Sequence, residues 1–150
     1  MTRTAVLEAV LAGEVPVPDS AYELLARSDA ELVAAQLATA PDERFVHAHL
    51  AALRAGAALL QVTGRPVRRP APRTVWEMVA LVAPQLAAWT VFFADGAPVR
   101  AAVEAGRQDA AGPERAERTV AAAEDFADAV RSLLVPSTAA RQPALALRAS

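Results

Sequence analysis

Between Asp42 and Val62 the residues Phe45, Val46, His49, Leu50, Leu53, Gly56, Ala57, Leu59 and Leu60 recur at intervals of three and four. That interval lays one stripe along an α-helix and does not fit the two-residue alternation of a half-buried strand. The same segment carries Ala51, Ala52, Ala55, Gly56, Ala57 and Ala58. A glycine inside a helix costs about 1 kcal/mol against alanine, so the expected compensation is a neighbouring helix packed closely against these small residues.

The rest of the chain divides at its prolines. A short helix is predicted over Thr4 to Leu11, stopped by Gly13 and the Pro16-Val17-Pro18 segment, which cannot continue it. Residues 1–18 read as a loosely docked arm. Asp19 or Ser20 then offers an N-cap, Glu23 completes a capping box with Ser20, and Leu24, Leu25, Leu32, Val33 and Leu37 recur at helical spacing. One helix is expected from about residue 20 to 39, with Arg27-Ser28-Asp29 as a solvated turn. The connection GRPVRRPAPR, residues 64–73, has no apolar periodicity and reads as exposed. Thr74 caps a further stripe of Val75, Met78, Val79, Val82, Leu86, Trp89 and Phe93, interrupted by Pro84, which predicts a kink near Ala83. Asp95 and Gly96 are expected to end that helix, with a short piece from Pro98 leading to a polar turn. Pro113 opens the last long helix, in which Val120, Ala123, Glu124, Ala127, Val130, Leu133 and Leu134 fall mainly on one side as far as Pro136.

No alternating run bounded by turn residues occurs, so no strand is predicted. The fold class is all-α, an antiparallel four- to five-helix bundle over residues 19–135, followed by a disordered tail at 136–150. With 54% hydrophobic and 21% charged residues, the chain has enough apolar surface to fold as one globular domain. Much of that surface is alanine, so the core is expected to be thin.

The chain has no cysteine and two histidines. Disulfides, thiolate metal sites and a cysteine nucleophile are excluded, and neither a metal nor a cofactor is expected. The first residues mix Arg3 and Glu8 into a short apolar stretch, unlike a secretory signal, and charge or proline interrupts every apolar run. A cytoplasmic protein without a membrane partner is expected. A net charge of -2 supplies no global attraction to nucleic acid. All the positive side chains are arginine, which with the abundant alanine fits a GC-rich coding sequence.

No glycine-rich phosphate loop, metal-ligand spacing or nucleophile elbow is present. Two clusters remain: Arg44, His47 and His49 in the second helix, and Arg65, Arg68, Arg69 and Arg73 in the connection. A histidine titrating near neutral pH and a guanidinium suit metal-independent RNA cleavage, with a base activating the ribose 2'-hydroxyl and the cation stabilising charge on phosphate. At about 100° per residue, Arg44 and His47 share a face while Arg44 and His49 point about 140° apart. The alternative is a solvated His47 and a His49 bordering the core. The connection arginines either hold a phosphate backbone or form a solubilising connector, and no aromatic residue lies among them for base stacking. Trp76 and Trp89 fall on or beside the apolar stripe and read as core anchors.

The strings SAYELLA (20–26), ERFVHAHLAALRA (43–55) and TVWEMV (74–79) resemble small actinobacterial single-domain proteins of the HEPN superfamily, over residues 20 to about 135. The resemblance implies a helical bundle. As in many HEPN domains, it also implies a homodimer in which an arginine and a histidine separated by four to six residues cleave RNA without metal. Arg44 and His49 match that spacing as catalytic residues, with His47 and the four connection arginines as nucleic-acid contacts. The family motif usually sits late in the bundle with a polar residue after the arginine, whereas here it is early and Phe45 follows. Other HEPN proteins are non-catalytic and bind protein partners. Two readings stay open: an RNA-binding or RNA-cleaving homodimer, and a catalytically silent helical interaction module.

Overall fold

The computed structural model describes residues 3–66 and 74–134. These form six α-helices: α1 (Arg3–Leu11), α2 (Asp19–Leu37), α3 (Pro41–Thr63), α4 (Val75–Val82), α5 (Ala87–Glu104) and α6 (Pro113–Leu134). A single 3-10 turn, Pro84–Leu86, joins α4 to α5. No strand occurs among the described residues. The tail from residue 136 and the connection arginines Arg68, Arg69 and Arg73 lie outside the described residues.

α3 is the central helix. Ala48, Ala51, Ala52, Ala55 and Ala58 along it have no exposed surface, so the backbones of α2 and α6 approach it closely. Cross-links fix the directions of the helices. Ser28 Oγ donates to Ala51 O at 2.7 Å and Ser20 Oγ donates to Gln61 Oε1 at 3.0 Å, so α2 and α3 are antiparallel. Gln36 meets Glu124 and Asp29 meets Arg131, so α2 and α6 are antiparallel as well. α3 and α6, each antiparallel to α2, therefore run parallel against each other. α3 has the length and hydropathy to cross a bilayer, but 56% of its most apolar window is buried within the bundle. Its apolarity is accounted for by that central place.

Several local expectations are met and others corrected. α2 is one continuous helix, but Ser28 is buried rather than solvated, and its hydroxyl is satisfied by the Ala51 carbonyl. The capping box is not formed: Pro18 precedes the helix, without a side-chain cap, and Ser20 turns to Gln61 instead. α1 packs against α3 and α6. Leu7 and Val10, three residues apart, are buried at 5% and 1% exposure and seat it on the bundle. Thr74 caps α4 by accepting from the Glu77 amide at 3.1 Å. The kink at Ala83 is a full break with φ -140° and ψ 74°, since the residue before a proline is pushed out of the helical region.

Asp95 and Gly96 do not end α5, which continues through Gly96 and Pro98 to Glu104. Gly96 is buried where α5 crosses α3; a Cβ there would lie 3.1 Å from His49 Cδ2 and 3.5 Å from Phe45 Cζ. The glycine serves that close approach rather than a turn. Pro98 removes the donor that would have reached the Ala94 carbonyl, and Ala94 is exposed, so water is available to that oxygen.

An aromatic cluster fills the space between α3, α4, α5 and α6. Trp76 stacks on Phe93 with ring centroids 5.1 Å apart, and Phe126 meets Trp76, Trp89 and Phe93. Both tryptophans serve the core, as their stripe implies.

Candidate functional site

The first two turns of α3 carry Arg44, His47 and His49, and the helix sends them to three different environments. Arg44 faces the crevice where the end of α2 meets the starts of α3 and α6. Its Nη2 pairs with Glu117 Oε1 at 2.8 Å, and Nη1 lies 3.4 Å from the Ala38 carbonyl and 3.5 Å from the Gln36 carbonyl. A cation at those last carbonyls of α2 sits at the negative end of the helix dipole. The crevice encloses about 360 Å³ and is lined in part by Leu37, Pro41, Pro113 and Glu117.

His47 lies toward α2. Its Nδ1 is 2.6 Å from Glu31 Oε2, and the ring is part-exposed. Among the described residues no group of three His, Asp or Glu forms around this pair.

His49 points into the core at 1% exposure. Its Nε2 donates to the Phe93 carbonyl at 2.8 Å, which leaves Nδ1 as the acceptor, 3.3 Å from Arg100 Nη1. Phe45, Trp76 and Phe93 surround the ring. Burial pushes its pKa below the ordinary 6.5, the Phe93 hydrogen bond opposes that, and Arg100 adds to the lowering while Glu104 opposes it. The imidazole is held neutral. Arg100 Nε lies 3.4 Å from Glu104 one turn further along α5.

The structure thus brings Arg44 together with Glu117, His47 with Glu31, and His49 with Arg100. It does not bring Arg44 and His49 to one cleft, because the angular separation along α3 carries one to the crevice and the other under α5. Arg65 is exposed at the end of α3. Among the described residues no group of three His, Asp or Glu is placed to hold a metal ion.

Sequence reasoning missed Arg100 and Glu104, since their segment reads as a short piece after a helix end. Their i, i+4 spacing was the available signal. It also missed Asp42, whose carboxylate accepts from the amides of Asp109 at 3.0 Å and Ala111 at 2.9 Å. That contact ties the turn before α6 to the start of α3 and sets the crevice around Arg44.

No curated protein and no solved structure matches the chain. A family model does: SAV_6107-like HEPN matches residues 35–131, from the end of α2 through most of α6. The match spans 97 residues (131 − 35 + 1) of the 150 and includes Arg44, His47, His49 and Arg100. The chain belongs to the SAV_6107-like family of HEPN domains.

Proposed function

We propose that this HEPN domain works as a non-catalytic helical interaction module, a homodimer that binds a protein partner, and not as a ribonuclease. The observation that carries the reading is the enclosure of His49. A general base must come within hydrogen-bond reach of the hydroxyl it deprotonates. The His49 ring is buried under α5, with Nε2 engaged by Phe93 O and Nδ1 facing Arg100.

Arg44 is likewise engaged, with Glu117 and the end of α2, and a carboxylate on the guanidinium repels a phosphate from the same place. The three side chains proposed from sequence as a cleavage centre act in this reading as ties between helices: Arg44 joins α3 to α2 and α6, His47 joins it to α2, and His49 joins it to α5. Arg65, Arg68, Arg69 and Arg73 then belong to a solubilising connector.

Incubating the purified protein with mixed structured and single-stranded RNA in chelator tests this. No cleavage above background is expected from the wild type. Cleavage that disappears in a folded Arg44→Ala variant overturns the proposal and restores the ribonuclease reading.

A further inference from the structure

α2 serves the core with Ala21, Leu25, Ser28 and Ala35, all buried. On a surface helix the opposite side carries charge. Here that side presents Tyr22, Ala26, Ala30, Val33 and Leu37, all exposed, with Tyr22 at 46%, Val33 at 54% and Leu37 at 77%. At about 100° per residue these five fall within an arc of about 80°. Their steps of four, four, three and four are those of a helix seam that packs on another helix. α2 is therefore apolar on two opposite sides, and among the described residues only the inner one is covered.

We propose that this outer face of α2 pairs with the same face of a second copy, the two helices antiparallel about a twofold axis beside Asp29 and Ala30; this rests on the reading of the domain as a homodimeric module. The face is self-complementary in that direction. Tyr22 meets the partner's Leu37, Ala26 meets the partner's Val33, and Ala30 lies opposite the partner's Ala30. Small side chains at the centre let the backbones approach, and large ones close the two ends.

Charge selects the same direction. Asp19 and Glu23 lie at the start of α2, while the outer arc at its other end is uncharged. A parallel pair stacks the acidic ends on each other. An antiparallel pair sets each beside an uncharged end and opposes the helix dipoles favourably. Asp29, next to the axis, already has its charge paired with Arg131 at 2.8 Å. A seam of about four turns is smaller than a standard interface of about 1,600 Å², so the dimer forms in the micromolar range and depends on concentration.

The absence of cysteine from the chain makes the test direct, because any introduced thiol is the only one. Sedimentation of the full chain across micromolar concentrations is expected to show a monomer–dimer equilibrium. Leu37→Asp, at a position exposed in the monomer, is expected to weaken it about tenfold or more, since a twofold axis counts each substitution twice. Val33→Asp, checked for helicity alongside, is expected to do the same. With a short thiol cross-linker, Ala30→Cys should give a covalent homodimer. Leu37→Cys should give none alone but should link to Tyr22→Cys when the two are mixed.

A chain that stays monomeric at every concentration overturns the proposal, as does a dimer indifferent to both acidic substitutions or one that links Leu37→Cys to itself. A monomer at every concentration also removes the homodimer from the functional reading, whereas the other two outcomes count against the α2 seam alone. RNA cleavage lost in Arg44→Ala overturns that reading whatever the oligomeric state, and a dimer built on another face overturns the α2 seam alone.

Discussion

Acid should destabilise this protein through one side chain. In the unfolded chain a histidine titrates near 6.5. In the fold, His49 is buried among Phe45, Trp76 and Phe93 and donates Nε2 to Phe93 O, and its pKa is lowered, chiefly by burial. The sign follows from the linkage relation. Between the lowered folded pKa and about 6.5 the unfolded state binds one more proton than the native state, so stability falls as pH drops through that window. The slope is at most about 1.4 kcal/mol per pH unit. In the limit of a native ring neutral throughout, the loss between pH 7.5 and 5.5 reaches at most about 1.4 kcal/mol, and a 150-residue domain then loses at most about 3 to 5 °C in Tm. The assay is chemical and thermal unfolding across pH 5 to 8 of the wild type and of His49→Gln, whose amide still donates to Phe93 O but does not titrate in this range. Subtracting the variant's curve removes the background from all other groups. A wild-type curve parallel to that of His49→Gln refutes the reasoning, because it means that His49 takes up its proton equally in both states.

Asp42→Ala removes the acceptor for the amides of Asp109 and Ala111 and is expected to cost about 1 to 3 kcal/mol in urea unfolding; faster amide exchange at residues 108–112 should accompany it, and unchanged exchange there contradicts the role given to the carboxylate. Gly96→Ala gains up to about 1 kcal/mol of helix propensity but sets a Cβ 3.1 Å from His49 Cδ2, and that ring is held at both nitrogens. A net loss of about 1 kcal/mol or more is expected by the same denaturation measurement, and a gain in stability shows that the ring yields freely.

Much of the fold is legible in the sequence because local and tertiary signals agree there. Pro41 and Pro113 open α3 and α6, Thr74 caps α4, and the residue before Pro84 breaks the helix where a proline requires it. α5 is the place where they disagree. Asp95, Gly96 and Pro98 together read as a stop, and propensity alone favours one. What holds the helix together is the fit of Gly96 against His49 and Phe45 on α3, a contact between residues far apart in the chain that no local pattern contains. The N-terminal segment shows the same limit in reverse. Its prolines and short length suggest an arm, while two apolar residues three positions apart suffice to bury one edge of α1.

The angular arithmetic of one helix predicts that Arg44 and His49 diverge, and the structure adds what each one meets. Those partners, Glu117 and Arg100, lie on other helices and are invisible to spacing along α3; Arg100 is 51 residues from His49. The consequence for function is mechanical. A second copy docked on the outside of the bundle does not reach His49, which lies beneath α5. Cleavage by that histidine therefore requires α5 to lift, breaking the Phe93 hydrogen bond and opening the aromatic cluster around Trp76. A helix that lifts readily admits water to the ring and returns its pKa toward the ordinary value. The acid dependence of stability and the ribonuclease question are thus one question: a native His49 that resists protonation well below 6.5 is a histidine kept from water, and from any substrate hydroxyl, by the packing of α5.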